Sequence, residues 1–172
     1  MCSAKRLEKM GRAFKFGDNI STDHIAPGRL FHLRSDLQEF AKHVLEDADE
    51  NFAKEMKKGD FVVAGNNFGL GSSREHAPQI IKIAGVGAVI AKSFARIFYR
   101  NAINIGLLAI ECDTDGIDAG DELDLDIKAG ILKNITKGTT IMIEPLPDVM
   151  IKMLNDGGLI EHIKKHGDLQ LQ

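Results

Sequence analysis

Apolar positions along the chain alternate between short continuous runs and runs with helical spacing. Continuous apolar runs at residues 61–64, 88–91 and 107–110 are typical of buried strands. The segments between them, 73–84 and 94–104, fit helices, although Pro78 predicts an irregular first turn in the earlier one. Because strands and helices alternate along the chain, the pattern predicts parallel strands covered by helices, an α/β fold.

The N-terminal third of the chain carries a weaker pattern. Residues 11–16 fit a short strand, and the polar run 17–24 has the composition of a structured loop that ends near residue 28. Asp36 is expected to cap a surface helix. The apolar positions of that helix recur at three- and four-residue spacing, at Leu37, Phe40, Ala41, Val44 and Leu45.

The C-terminal third changes to strict alternation. Apolar residues alternate with charged ones from residue 121 to 127, and a turn at Ala129-Gly130 leads into a second run at 131–135, which predicts a hairpin. A third strand at 140–143 and a helix at 149–154 are expected to follow. Because the sequence shows no linker-like stretch and no repeat, we predict one mixed domain over residues 1–172.

Composition narrows the function classes. The chain has 172 residues, of which 44% are hydrophobic, enough to fill one core. With 22 Lys and Arg against 25 Asp and Glu, its net charge of -3 gives no support for binding nucleic acid or an anionic membrane. No export signal and no apolar stretch of bilayer length is seen, so we expect a soluble, cytoplasmic protein.

Metal chemistry within this chain is not predicted. Cys2 and Cys112 are too few to hold a thiolate zinc site or an iron–sulfur cluster, and both are expected to be free thiols without a catalytic role. Four histidines show no spacing with cysteines or carboxylates that indicates a metal, and they are expected at the surface: His32, His43, His162 and His166.

Residues 65–76 carry the strongest chemical signal. Three glycines there lead from a strand to Ser72, Ser73 and Arg74. Glycine lets the backbone approach a ligand closely, and serines at a helix start place hydroxyls beside unpaired N–H groups. Arginine binds a carboxylate through two parallel hydrogen bonds. The segment therefore predicts a site for a ligand that carries carboxylates or phosphates.

Other glycine-rich motifs fit this segment poorly. A phosphate-binding loop needs a lysine before its Ser or Thr, whereas Ser72 directly follows Gly71. Arg74 occupies the position where a dinucleotide fingerprint requires its third glycine and where a hydrolase elbow requires its last. A purely structural interpretation stays open, because Ser72 and Glu75 have the spacing of a helix capping box.

Three segments together resemble the small subunits of the isopropylmalate and homoaconitate isomerases of the aconitase superfamily, and the swivelling domain of single-chain aconitases. The resemblance is carried, in the expected order, by Gly17-Asp18-Asn19-Ile20-Ser21-Thr22-Asp23-His24-Ile25, Gly69-Leu70-Gly71-Ser72-Ser73-Arg74-Glu75 and Ser93-Phe94-Ala95-Arg96-Ile97-Phe98-Tyr99-Arg100-Asn101. It implies a swivelling β/β/α domain with a mixed, barrel-like sheet flanked by helices. It also implies a hydro-lyase or isomerase reaction shared with a large subunit that carries the [4Fe–4S] cluster.

The resemblance also implies roles for individual residues. Ser72 matches the serine that acts as the base, Ser73 a donor to the substrate, Arg74 a carboxylate-binding residue and Asp23 an acidic residue that orients the site. Serine is a very weak base, so its alkoxide requires helix-start N–H groups and nearby cations as stabilisers. The partner's iron is expected to act as a Lewis acid on the leaving hydroxyl, so the small subunit alone is expected to be inactive.

Residues 28–35 match the family segment that contacts the variable part of the substrate. Leu30 and Phe31 favour an isopropyl group, whereas Arg34 lies in a tract similar to that of homoaconitase-type subunits and is expected to bind an extra carboxylate. The resemblance favours 3-isopropylmalate dehydratase, in leucine biosynthesis. A homoaconitase-like or 2,3-dimethylmalate-type dehydratase, or a non-catalytic carboxylate-binding module, stays open.

Overall fold

Seven strands form one mixed sheet in the computed structural model, which describes residues 8–168. In space the strands follow the order β4-β3-β2-β1-β5-β6-β7. Strands β1 to β4 pair in parallel, and β1 pairs with β5, β5 with β6 and β6 with β7 antiparallel. The bounds are Glu8–Lys15 for β1, Phe61–Ala64 for β2, Ala88–Ala91 for β3, Ala109–Glu111 for β4, Glu122–Asp126 for β5, Ile131–Asn134 for β6 and Thr139–Met142 for β7. The predicted α/β class with a mixed sheet is confirmed.

Helices cover the sheet and connect its strands. They are α1 (Thr22–Ile25), α2 (Leu37–Ala41), α3 (Phe52–Glu55), α4 (His76–Ala84), α5 (Arg96–Asn104), α6 (Asp148–Asp156) and α7 (Leu159–His166), with a 3₁₀ segment at Gly28–Ser35. None of the helices within residues 8–168 has the length and apolar character needed to cross a bilayer.

The central strands are buried on both faces. In β2, Val62 and Ala64 belong to one hydrophobic core, while Phe61 and Val63 belong to the other. Successive side chains of a strand point to opposite faces, so a strand between two cores needs an unbroken apolar run. This arrangement explains the continuous runs at 61–64 and 88–91, and both strands have the predicted bounds.

The hairpin at residues 122–134 is also confirmed, with Leu125 opposite Leu132. Other boundaries differ from the prediction. The helix expected from residue 73 begins at His76. Asp36 caps α2 as predicted, accepting from the backbone N–H of Glu39 at 3.1 Å, but α2 ends at Ala41.

Tertiary contacts explain the early end of α2. Leu45 has a positive φ of 58°, and its N–H donates to the carbonyl of Ile25 at 2.9 Å instead of continuing the helix. The polar run 17–24, expected as a loop, contains α1 in its second half. Helices α3 and α7 were not predicted, and His162 on α7, expected at the surface, is buried.

Candidate active site

The glycine loop that follows β2 is held between the two other segments of the resemblance. On one side, Gly69 N–H donates to Ile20 O at 2.7 Å and Thr22 N–H donates to Leu70 O at 2.8 Å. On the other side, Phe68 N–H donates to Ser93 O at 3.0 Å, and Asn67 N–H donates to Ser93 Oγ at 2.8 Å. Residues distant in sequence thus fix the loop through its backbone.

Gly69 shows why the loop needs glycine. Its φ is +82°, a left-handed conformation, and the ring of Phe98 fills the space that a Cβ would occupy. Phe98 itself packs edge-on against Phe68, with ring centroids 5.2 Å apart. The third matching segment, residues 93–101, therefore packs against the loop through Phe98.

Ser72 lies on this loop, and its hydroxyl is next to the buried hydroxyl of Thr22. Its Oγ is 3.3 Å from Thr22 Oγ1, while Thr22 itself is only 3% exposed. Helix α4 starts at His76 with Glu75 as N-cap, and no side chain caps it. The capping-box interpretation of Ser72 is therefore wrong, and Ser72 lies three residues before the N-cap rather than at the helix start.

Arg74 and Asp23 form an ion pair between Arg74 Nη1 and Asp23 Oδ1 that joins two of the predicted site residues. The same Nη1 lies 3.5 Å from the carbonyl of Ala26. The Arg74 side chain is 25% exposed, whereas the Asp23 side chain is 64% exposed. Asp23 therefore fixes one edge of the guanidinium from the solvent side.

An open cavity of about 530 Å³ brings the site residues together. This volume suits a small organic acid. Its lining residues are Gly28, Phe31, Ser72, Ser73, Arg74 and His76. Ser72 and Ser73 are exposed, so their hydroxyls lie on the open side of the fold. The three consecutive residues predicted from the glycine loop all line one cavity.

Arg34 is not among the residues that line this cavity, but it contacts one of them. Its Nη1 donates to the carbonyl of Phe31 at 3.2 Å, and its guanidinium carbon lies 4.5 Å from the centre of the Phe31 ring. The Arg74 guanidinium carbon lies 5.5 Å from the same ring centre. Phe31 thus separates two cations at the rim of the site.

His76 is a cavity residue that sequence reasoning did not select. Its ring stacks on Phe40, with centroids 5.6 Å apart, and meets Phe31 edge-on at 5.5 Å. Burial lowers the pKa of His76, and the charges of Arg74 and Arg34 lower it further. Its Nε2 is buried and has no hydrogen-bond partner among residues 8–168. The ring is therefore held neutral beside two guanidinium groups.

Thr22 was missed as well. It sits next to Asp23 in the first segment of the resemblance, but nothing in the sequence places it against a residue 50 positions later. Only the pairing of Thr22 with the backbone of Leu70 reveals the contact.

Comparison with known proteins agrees with this geometry. A family model of the aconitase C-terminal domain matches residues 18–115, which contain the glycine loop and the residues that hold it. The chain belongs to this family. Within it, the "3-isopropylmalate dehydratase small subunit 2" of Archaeoglobus fulgidus is 62% identical over 165 residues, which cover 96% of this chain and all of the relative. The "3-isopropylmalate dehydratase small subunit 1" of Thermotoga maritima is 62% identical over 158 residues, covering 91% of this chain and 95% of the relative.

A solved family structure shares the fold. The crystal structure of a 3-isopropylmalate dehydratase from Methanocaldococcus jannaschii superposes with a TM-score of 0.88 at 47% sequence identity. The match covers 93% of this chain and 95% of the other. The three-dimensional likeness therefore extends well beyond the region matched by the family model.

The cysteines of this chain do not fit an iron–sulfur cluster. Two cysteines are fewer than the four thiolates that hold an ordinary [4Fe–4S] cluster. Burial raises the pKa of the Cys112 thiol to about 11, so it stays protonated at neutral pH. Cys2 lies outside the described residues.

Proposed function

We propose that this chain is the small subunit of a 3-isopropylmalate dehydratase, a hydro-lyase that interconverts 2- and 3-isopropylmalate by removing and returning water. The observation that carries the proposal is the single cavity lined by Ser72, Ser73 and Arg74 with Asp23 paired to the arginine. Family relatives at 62% identity bear this name. The reaction belongs to leucine biosynthesis.

Arg74 holds a substrate carboxylate in this proposal. Nη1 is oriented by Asp23 and Ala26, so Nε and Nη2 form the edge that meets two carboxylate oxygens in parallel. Ser73, exposed on the same cavity, donates its hydroxyl hydrogen to the substrate. The substrate is thereby placed with its acidic carbon facing Ser72.

Ser72 acts as the base. Its alkoxide takes the proton from the carbon beside a carboxylate, and the electron pair of that C–H bond forms the double bond as hydroxide leaves the neighbouring carbon. The Thr22 hydroxyl at 3.3 Å and the positive charge of Arg74 stabilise the alkoxide. In the reverse direction the Ser72 hydroxyl returns the proton.

The open side of the cavity is where a large subunit completes the site. Ser72 and Ser73 are exposed, and general-base chemistry on a weakly acidic carbon requires a site shielded from water. The partner contributes the [4Fe–4S] cluster, which supplies a Lewis acid for the leaving hydroxyl. The small subunit alone is therefore inactive, and we propose that it works in the cytoplasm as one domain.

Replacing Ser72 by alanine tests the proposal. In the complex with a cluster-bearing large subunit, Ser72→Ala should lower kcat for 3-isopropylmalate by about 10²- to 10⁴-fold, the range typical of a lost general base. Binding of the large subunit, measured by size-exclusion chromatography, should not change. Thr140→Ala removes an exposed hydroxyl from β7 and should keep full activity. Undiminished turnover by Ser72→Ala would contradict the assignment of Ser72 as the base. If the complex with the unmodified chain showed no hydration activity, the non-catalytic carboxylate-binding module would be favoured.

The contact of Arg34 with Phe31 favours a second candidate, a homoaconitase-like activity on a substrate with an extra carboxylate. Arg34→Val should lower kcat/KM for homoaconitate and leave that for isopropylmalate unchanged or higher, because a charged guanidinium is costly to desolvate beside an isopropyl group. Measuring kcat/KM of both substrates in the same complex checks this. Equal losses for the two acids would contradict a specificity role for Arg34.

A further inference from the structure

A cluster of two histidines and one aspartate joins the last two helices, far in sequence from the glycine loop. Asp156 Oδ2 lies 2.7 Å from His162 Nδ1 and 2.8 Å from His166 Nε2. These three donor atoms all lie within 4.8 Å of one another. Within residues 8–168 no other group of three His, Cys, Asp or Glu side chains converges in this way.

The fold builds this arrangement from local geometry. Asp156 is the last residue of α6, and Gly157 and Gly158, both with positive φ, reverse the chain into α7. A side chain on Gly158 would collide with the backbone at Asn104 and Gly106, so the turn can only be made by glycine. His162 and His166 are four residues apart on α7 and therefore share the face that Asp156 approaches.

Burial pre-organises the cluster. The side chains of Asp156 and His162 are 6% and 0% exposed, whereas that of His166 is 29% exposed. A site with two fixed, buried donors and one donor at the surface leaves a position open to solvent. An aspartate carboxylate is ionised at neutral pH and can therefore act as a ligand.

We propose that Asp156, His162 and His166 form a binding site for a divalent transition-metal ion of the zinc type. Two imidazole nitrogens and one carboxylate oxygen suit Zn²⁺, with water as the fourth ligand, whereas Mg²⁺ and Ca²⁺ prefer oxygen donors only. The spacing of the histidines by four residues on one helix is the sequence signal. The carboxylate comes from the preceding helix, so spacing along the chain does not reveal it.

Metal binding requires a rearrangement of the three side chains. Donor atoms around a tetrahedral Zn²⁺ lie about 3.3 Å apart, so the carboxylate has to withdraw from each imidazole by about half an ångström, and the two imidazole nitrogens, which lie within 4.8 Å of each other, have to reach the same spacing. A proton carried by a donor nitrogen has to leave that nitrogen, to the other ring nitrogen or to solvent, when the ion binds. No oxidation or reduction is involved.

Lys165 opposes the cation. Its ammonium donates to Asp156 Oδ1 at 2.6 Å, so it holds the second carboxylate oxygen and places a positive charge beside the site. Because like charges repel, removing this ammonium should strengthen metal binding. At a metal site, removing the ammonium raises the affinity for the ion. If the cluster only linked the two helices by hydrogen bonds, the same change would weaken that link and would not raise metal affinity.

Zinc titration of the purified full chain, followed by calorimetry, tests the site. We expect one Zn²⁺ per chain with a Kd in the micromolar range or below. His166→Gln, at a partly exposed position, should weaken binding at least about tenfold, and Lys165→Met should tighten it. His43→Gln removes a half-buried histidine that pairs with Glu46, away from the cluster, and should leave the Kd unchanged.

Cobalt gives a direct view of the ligands. Co²⁺ at the site should produce visible absorption bands of a four- or five-coordinate nitrogen and oxygen environment, and His166→Gln should abolish them. Circular dichroism of each variant confirms that it is folded. If folded His166→Gln binds Zn²⁺ as tightly as the unmodified chain, or if neither binds it saturably, the proposal is wrong. Neither measurement depends on the dehydratase activity.

Discussion

The contact between Thr22 and Ser72 is the residue-scale feature that most directly affects the proposed chemistry. Thr22 is buried and its hydroxyl lies 3.3 Å from Ser72 Oγ, whereas Ser72 itself is exposed. An exposed serine side chain can rotate between staggered conformations. The buried hydroxyl of Thr22 favours the conformation in which Ser72 points into the cavity.

Thr22→Val keeps the shape of the side chain but removes the hydroxyl. We expect kcat to fall about tenfold while KM stays constant, because one hydrogen bond to a charged oxygen contributes about 1.5 kcal/mol or more. Thr22→Ser, which retains the hydroxyl, should restore most of the activity. Steady-state kinetics of both variants in the complex measure this.

A structural role alone would give another pattern. If Thr22 only filled space, Thr22→Val would behave like the unmodified chain and Thr22→Ser would be the more damaging change. A rise in KM without a change in kcat would place Thr22 in substrate binding instead.

At the scale of elements, two glycines in the matching segments differ in whether a larger residue could replace them. Gly69 has a positive φ and faces the Phe98 ring, whereas Gly17 has no neighbour within 4 Å of the position of a Cβ. Gly69→Ala should therefore destabilise the fold by more than about 2 kcal/mol, combining the left-handed backbone with a steric clash.

Gly17→Ala is the matched control. Its free energy of unfolding in urea should stay within about 1 kcal/mol of the unmodified chain, since an added methyl group meets open space. Equal effects of the two substitutions would show that the contact between the loop and α5 is not what requires glycine at position 69.

Elements were predictable where one local pattern determined them. The runs 61–64 and 88–91 lie between two cores, so hydrophobicity alone gave their bounds. The helix at Asp36 could not be bounded from sequence, because Val44 and Leu45 keep the helical spacing while the hydrogen bond from Leu45 to Ile25 ends the helix. The start of α4 was predicted at residue 73 but lies at His76. Ser72 and Glu75 have the spacing of a capping box, yet no side chain caps this helix.

Site residues, too, were predictable where they are close in sequence and not where distant segments bring them together. Ser72, Ser73 and Arg74 are consecutive, so their shared cavity could be expected from the loop. Thr22 and His76 reach the site through contacts that depend on the pairing of distant segments, and no spacing reveals them. Asp23 was selected through the resemblance, and its ion pair with Arg74 gives that selection a physical basis.

At the scale of the whole molecule, both cores share the strands of one sheet. Leu132 is fully buried in the core on one side, and Tyr99 packs against the core on the other side. A perturbation of either core is therefore expected to weaken the whole fold. This expectation tests the proposal that the chain is one domain.

Leu132→Ala should lower the free energy of unfolding by about 2–5 kcal/mol, the usual cost of a cavity in a core. Tyr99 is the only tyrosine and the chain has no tryptophan, so its fluorescence reports on the opposite core. The urea midpoints from Tyr99 fluorescence and from circular dichroism should shift together. A fluorescence midpoint that stayed in place would reveal two independently folding units.

The segment Gly28–Ser35 contributes no fully buried residue, although Gly28 and Phe31 line the cavity. The loop that carries Ser72 and Arg74 is held by backbone hydrogen bonds to Ile20, Thr22 and Ser93, which lie outside this segment. Substitutions at its exposed positions, such as Phe31 and Arg34, should therefore cost little folding stability, whereas Leu30 and Leu33 pack against the hydrophobic core. Under the proposed function, laboratory evolution of new substrate preferences can therefore be directed to the exposed positions of this short segment.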